Sequence, residues 1–357
     1  MDQALSLAAQ GGRAVLPNPC VGAVIVHRNE VIGAGFHEHF GGPHAEVRAI
    51  ESVTNRELLR DSTLYVTLEP CSHFGKTPPC AELIIRSGIP RVVVACRDPF
   101  PAVSGRGIER LIEAGIEVIE DIRHDEAILL NKRFIVAHSH KRPYIVLKWA
   151  QTSDHFIAPA SGERTTISSK QSHLMCHLWR GQEMAIAVGS KTAISDNPLL
   201  TVRHTELFSA AELPALNPLR VVIGEAGKLP GDLDMFYASG ETVVFTSSSD
   251  LSWQAPSRVS LVELSRGQDI LPQICRYLYE RSMLSLFVEG GRETLQSFLD
   301  ADLWDEARVF TSASSFGSGI AAPVLELEPR DISAQGGDRL EIFVNPRLTE
   351  RLGLFEE

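Results

Sequence analysis

Positive charge is what this 357-residue chain lacks: 34 Lys and Arg stand against 45 Asp and Glu, a formal net charge of −11. Polynucleotide binding draws on a basic surface, so that class is disfavoured, though a local basic groove stays compatible with the total. Cysteine is sparse: six residues in a chain this long build no disulfide framework, and their scatter suits a reducing compartment. No apolar run approaches the ~20 residues of a membrane span. Met1-Asp2-Gln3 opens directly on an amphipathic helix, without a basic region followed by an apolar run. The expectation is a cytoplasmic protein with no membrane partner. Repeats and low-complexity segments are missing as well. At this length, with 44% hydrophobic and 22% charged residues, two globular domains are expected.

What the chain does contain is a compact set of metal-ligand residues. His44-Ala45-Glu46 is followed at a distance by Pro70-Cys71 and Pro79-Cys80. One imidazole and two thiolates make three ligands for a tetrahedral zinc and leave the fourth position for water. Zinc lowers the pKa of such a water towards roughly 7, and a carboxylate two residues from the histidine stands where it can carry protons. Zinc nucleobase deaminases read H-x-E followed by P-C-x-x-C, with the Glu as acid/base and not as ligand. Here the second cysteine comes nine positions after the first instead of three. The bland reading, a chance H-x-E beside two small buried thiols, does not account for the prolines before both cysteines or the apolar strand leading in.

The first part of the chain alternates strand and helix patterns. Val21 to Val26 and Val31 to Phe36 flank His27-Arg28-Asn29-Glu30 as a hairpin, and a helix is expected from His44 to about Ser52. Leu64 to Leu68 delivers Glu69-Pro70-Cys71, and Cys80 opens a helix closed by Gly88. A strand at Val92 to Ala95, a helix from Gly107 to Ala114 and a strand at Ile116 to Ile119 complete the layer. His138-Ser139-His140-Lys141-Arg142-Pro143 reads as a linker, dividing the chain into 1–141 and 142–357; a solvated helix end within one domain is the alternative. Beyond it, strands are expected at Tyr144 to Trp149, Met184 to Val188, Arg220 to Ile223, Thr242 to Phe245, Leu286 to Val288 and Ala307 to Phe310. Helices fit Lys170 to Arg180, Ile270 to Glu280 and Glu293 to Leu299.

Pro17-Asn18-Pro19-Cys20-Val21-Gly22, Pro43-His44-Ala45-Glu46 and the whole run from Thr67 to Cys80 resemble the bifunctional riboflavin-biosynthesis deaminase/reductase family, in which the long cysteine spacing is characteristic. Lys148, Asp196-Asn197-Pro198, Leu200-Thr201-Val202-Arg203 and Glu289-Gly290-Gly291 resemble its reductase half. The resemblance implies an α/β chain with an N-terminal cytidine-deaminase-like three-layer domain and a C-terminal dihydrofolate-reductase-like domain. It further implies hydrolytic removal of the 2-amino group of a diamino-ribosylamino-pyrimidinone 5′-phosphate, then NADPH reduction of the ribosyl group to ribityl. The implied partners are Zn2+, NADPH and the small pyrimidine ribotide, with no nucleic acid; self-association is left open.

On that resemblance His44, Cys71 and Cys80 hold zinc and Glu46 is catalytic. Asn18 holds the pyrimidine edge or is an Asn-Pro turn residue. Lys76 meets the phosphate or is a solvated lysine, and His73 contacts substrate or packs its loop. Arg180, Leu200, Arg203 and Glu289 match substrate positions, as does Arg164 where a serine is usual. Lys148, Ala150, Thr192 and Asp196 match cofactor positions, with Thr166 where a tryptophan is usual. Val288-Glu289-Gly290-Gly291 followed by a helix is a strand–glycine–helix turn of the kind that presents N–H groups to a pyrophosphate, with Gly291, Arg292, Glu293 and Thr294 as cofactor positions. Two further departures are Ser153-Asp154-His155 in place of Leu-Asp-Gly, and Gly224-Glu225 in place of Asp-Ser. They keep open a deaminase whose second domain only binds or assembles. A nucleic-acid base deaminase is the other competing class.

Overall fold

The computed structural model describes residues 1–72, 79–100, 104–161, 165–204, 207–208, 213–247 and 253–354. The chain forms two compact units, Arg142–Leu348 and a first unit of Met1–Lys141 with Thr349–Glu357. The C-terminal segment therefore groups with the first unit rather than with the second, and the Arg351 carbonyl accepts a hydrogen bond from His140 Nε2 at 3.0 Å. The expected linker also differs in kind. His138 to His140 finish the helix Lys132–His140, and Arg142 is buried in the second unit with its guanidinium forked onto Asp305 at 2.7 Å on both arms.

The first unit holds a five-stranded sheet in the order β2 (Glu30–Phe36), β1 (Gly22–His27), β3 (Ser62–Val66), β4 (Arg91–Val94), β5 (Glu117–Ile119). β1 and β2 form the hairpin, and its Arg28 and Asn29 both take positive φ, 46° and 68°, as a two-residue type I′ turn requires. β3, β4 and β5 run parallel. Side chains alternate along β1. Ala23 and Ile25 face the core shared with Ala49 and Ile50 of α2 (Ala45–Glu51), Ala81 and Ile84 of α3 (Cys80–Ser87) and Leu111 of α4 (Arg106–Glu113). Gly22, on the opposite face, lies so close to α1 (Asp2–Ala8) that a Cβ there would meet the Ala4 carbonyl. Helix, sheet and helix thus make three layers.

The second unit is built on a nine-stranded sheet. Its parallel part runs β11 (Val259–Glu263), β10 (Thr242–Thr246), β9 (Leu219–Ile223), β8 (Ala185–Gly189), β12 (Ser285–Val288), β6 (Tyr144–Gln151), β13 (Glu306–Thr311). Its inner strands are mostly apolar and buried along their whole length, as strands covered on both faces are, with Arg220 of β9 buried among them. Two antiparallel strands, β16 (Asp338–Val344) and β15 (Asp331–Gln335), extend the β13 edge, and β7 (Phe156–Pro159) pairs with β14 (Gly319–Ala321) apart from the sheet. Every strand expected from sequence is present; β7, β11, β14, β15 and β16 are additional.

Candidate functional site

The metal-ligand residues meet at the ends of two helices. His44 is the extended residue that precedes α2, and Cys80 is the first residue of α3. Cys71 follows the strand-to-loop exit after β3, and its Sγ accepts the Cys80 backbone N–H at 3.3 Å. His44 Nδ1 stands 3.7 Å from Cys71 Sγ and 3.3 Å from Cys80 Sγ. A tetrahedral zinc with Zn–N ~2.05 Å and Zn–S ~2.3 Å sets nitrogen and sulfur about 3.6 Å apart, so the two observed separations bracket the spacing the ion needs.

The protonation of these groups points the same way. The hydrogen bond to Cys71 raises His44 to about 9. Hydrogen bonds from Cys80, together with His44, draw the Cys71 thiol down to about 4. That thiolate and burial then hold the Cys80 thiol protonated, well above its ordinary range. A dication replaces the protons of His44 and Cys80 and leaves two thiolates and a neutral imidazole, which is the donor set zinc takes. Glu46, in the first turn of α2 and 3% exposed, lies beside Cys80; burial, then the Cys71 thiolate, push its carboxyl up to about 7.

Asn18 belongs to the same neighbourhood. His37 Nδ1 lies 3.0 Å from the Pro43 carbonyl, which can only accept, so Nδ1 carries the proton and Nε2 presents a lone pair. Asn18 Nδ2, 3.0 Å from that Nε2, is therefore the donor, and its Oδ1 faces elsewhere. Sequence reasoning missed His37. It missed Glu69 as well, whose carboxylate is 3% exposed and accepts four backbone N–H groups: Gly107 at 2.8 Å, Gly105 at 2.9 Å, and Asp98 and Ile108 at 3.3 Å. This pins the residue two positions before Cys71 to the N-terminus of α4. A Cβ on Gly107 would collide with the Pro70 carbonyl, so only glycine lets α4 approach that closely. The readable signal was a glutamate placed between an apolar strand and Pro-Cys. Lys76 and His73 lie outside the described residues, as does Arg164.

In the second unit the parallel strands carry the expected residues to one end. Arg180 Nε and Nη2 fork onto the Glu289 carboxylate at 2.6 and 2.7 Å, so its guanidinium faces a carboxylate rather than lying open for a phosphate. Despite burial, Arg180 and then Lys148 hold Glu289 below the usual carboxylate range. Burial alone would lower Lys148, but Cys176 and Glu289 keep it raised. Next to this cluster the Gly291 N–H, opening the helix Arg292–Asp300, donates to Thr192 Oγ1 at 2.9 Å. Cβ atoms on Gly189 and Gly290 would strike Thr294, so the ends of the paired strands β8 and β12 close on that residue. Ala150 is half-buried on β6, Leu200 is buried at φ 52°, and Arg203 is exposed. Asp196 sits at the far end of its helix and accepts from Ser195 Oγ at 2.7 Å. Arg292 is exposed, and Glu293 pairs with Lys191 at 2.7 Å on the surface. Thr166 is exposed, and no hydrogen bond or ion pair among the described residues joins it to the cluster.

Residues 1–96 match the cytidine and deoxycytidylate deaminase zinc-binding region, and residues 143–332 match the RibD C-terminal domain. The riboflavin biosynthesis protein RibD of Aquifex aeolicus is 40% identical over 322 residues, 90% of this chain and 88% of that protein. The chain belongs to the RibD family. RibD of Escherichia coli is 38% identical over 89% of this chain and 88% of its own length. A solved diaminohydroxyphosphoribosylaminopyrimidine deaminase/5-amino-6-(5-phosphoribosylamino)uracil reductase from Thermotoga maritima superposes with a TM-score of 0.83 at 38% identity, covering 97% of each chain. The RibD family couples a deaminase and a reductase in riboflavin biosynthesis, and this chain carries both halves: a cytidine-deaminase-type zinc-binding domain and a dihydrofolate-reductase-like one. That whole-chain match sets aside the nucleic-acid base deaminase. Among the described residues, no helix is long and apolar enough to cross a membrane.

Proposed function

We propose that the first unit, with zinc held by His44, Cys71 and Cys80, deaminates a diamino-ribosylamino-pyrimidinone 5′-phosphate, and that the second reduces the product's ribosyl group with NADPH. The observation that carries the reading is the His44–Cys71–Cys80 triangle with a buried Glu46 against it. Zinc in that triangle supplies a Lewis acid that makes water a nucleophile near neutral pH. Glu46 carries two protons in turn at its carboxylate: the first from the attacking water to the ring nitrogen, the second from the same oxygen, once it is bonded to carbon, to the departing amine, which leaves as ammonia. A carboxyl raised by burial suits both directions of transfer near neutrality. Asn18, fixed by His37, presents Oδ1 to the pyrimidine edge. Lys76 remains assigned to the phosphate on the family resemblance alone.

In the second unit, NADPH supplies the hydride. Gly291 and Thr192 line the turn that would receive its pyrophosphate at a helix N-terminus, beyond the carboxyl ends of parallel strands. Glu289, pinned by Arg180, and Lys148 offer fixed polar groups to the ribosyl chain, and Arg203 an exposed cation to its phosphate. Two of the family departures find local support. His155 occupies the position of the usual glycine at φ 62°, and Glu225 is turned onto Lys228 at 2.8 Å. The paired Glu225 leaves less uncompensated charge towards a 2′-phosphate.

The test uses zinc-loaded protein and the diamino-pyrimidine ribotide, with NADPH, with NADH and with neither. Ammonia is expected in all three, and nicotinamide oxidation with NADPH preferred. Ammonia without oxidation of either nucleotide refutes the reductase assignment, and no ammonia refutes the deaminase assignment.

A further inference from the structure

The second unit holds a group of three histidines that neither reaction uses. His173 and His177 are four residues apart on the helix Lys170–Gln182, so one turn of α-helix sets their rings on the same face, with centroids 4.9 Å apart. His204, from the loop after Arg203, closes the group at 4.4 Å from His177 and 5.5 Å from His173. One ring nitrogen from each lies within 4.8 Å of the other two. His177 is 0% exposed, yet neither of its ring nitrogens has a hydrogen-bond partner among the described residues. A buried polar group left unbonded costs free energy and calls for a ligand. A neutral imidazole carries a lone pair that a metal can take.

We propose that His173, His177 and His204 form a second metal site, for a borderline divalent ion of the zinc type. Three imidazoles are a known zinc donor set, and they leave a fourth position for water or an oxyanion. Nitrogens around a tetrahedral zinc lie about 3.3 Å apart at Zn–N ~2.05 Å, closer than the 4.8 Å limit observed here. His173 is exposed, so its ring has room to adjust towards the other two. The same exposure gives the ion its entry path. Glu289 offsets part of the Arg180 charge through two hydrogen bonds. Arg203, next to His204, favours an anion such as a phosphoryl oxygen in the fourth position. The site rests on the histidine geometry and not on the reductase assignment.

The experiment is a cobalt titration of tag-free, metal-depleted full-length protein. Two equivalents are expected to bind. One shows thiolate-to-cobalt charge transfer, from the two-cysteine triangle; the other shows visible ligand-field bands without that charge transfer. H173A and H204A should each remove the second set of bands and weaken that equivalent at least tenfold, with the thiolate band retained. C71S should do the reverse. His173 is on the surface, and tryptophan fluorescence of H173A checks that the unit stays folded. A single equivalent bearing the thiolate band overturns the proposal, and so does a second equivalent that survives in both histidine variants.

Discussion

Replacing Glu69 by Gln tests whether the cysteine-bearing loop is held by a buried carboxylate. Oε1 accepts from Gly107 and Ile108, and Oε2 from Gly105 and Asp98. A glutamine keeps one oxygen and turns an NH2 group towards the other two donors. Each buried donor left without an acceptor costs about 1–3 kcal/mol, so the pair costs about 2–6 kcal/mol. Loss of the negative charge at the N-terminus of α4 adds about 0.3–1 kcal/mol. Against a typical domain stability of about 5–15 kcal/mol, this is a large fraction. All four tryptophans, at 149, 179, 253 and 304, lie in the second unit. Urea unfolding of metal-depleted protein by fluorescence therefore follows that unit, while hydrogen exchange at Gly105, Gly107 and Ile108 follows the first. Those amides should lose protection by the same ~2–6 kcal/mol with the fluorescence midpoint unchanged. Zinc affinity, measured against a chelator, should fall about 10–100-fold, as when an outer-shell partner is lost. Unchanged protection together with unchanged zinc affinity would refute the reasoning.

Asp98 gives a pH dependence. Burial, then the charges of Glu69 and Cys71, raise its carboxyl from 3.8 to about 7. A carboxyl raised on folding contributes stability that is full below its unfolded pKa, near 4, and is lost as pH rises through about 7. Asp98→Asn should therefore stabilise the first unit at pH 8, by on the order of 4 kcal/mol at most, with the gain shrinking towards pH 4; a gain that grows in acid contradicts the assignment. In the second unit, Asp305 accepts from both arms of Arg142 and from the Ile145 N–H at 2.8 Å. Asp305→Ala strands a buried guanidinium and should lower the fluorescence-detected stability by about 3–5 kcal/mol; a loss below ~1 kcal/mol would show that the pair is not effectively buried.

The inner parallel strands were legible because they are buried on both faces and read as mostly apolar runs; β11, parallel but partly exposed at the sheet edge, was not. Nor were β15 and β16. DISAQ and DRLEIFV mix charged and apolar residues, and only pairing, of β16 with β13 and of β15 with β16, makes them strands. Arg142 was harder to read for a related reason: it looks like a solvated cation until Asp305, far along the chain, supplies its buried partner. At the site, His44, Glu46, Cys71 and Cys80 were legible because a zinc centre needs those residue types. His37 and Glu69 act through hydrogen bonds to carbonyl and amide groups that residue type does not reveal. Arg180 was read as a substrate-binding residue and not as Glu289's partner, because a bidentate pair across 109 positions leaves no local signature.

The most direct test of the central claim is ammonia release by Glu46→Gln, with zinc content measured on the same sample. His44, Cys71 and Cys80 still meet around the ion, so about one zinc should remain at that site. Turnover should fall by at least 10²–10⁴-fold for want of the proton carrier. Ammonia release within tenfold of the unaltered protein, with zinc retained, would contradict the role assigned to Glu46 and with it the account of the deaminase site.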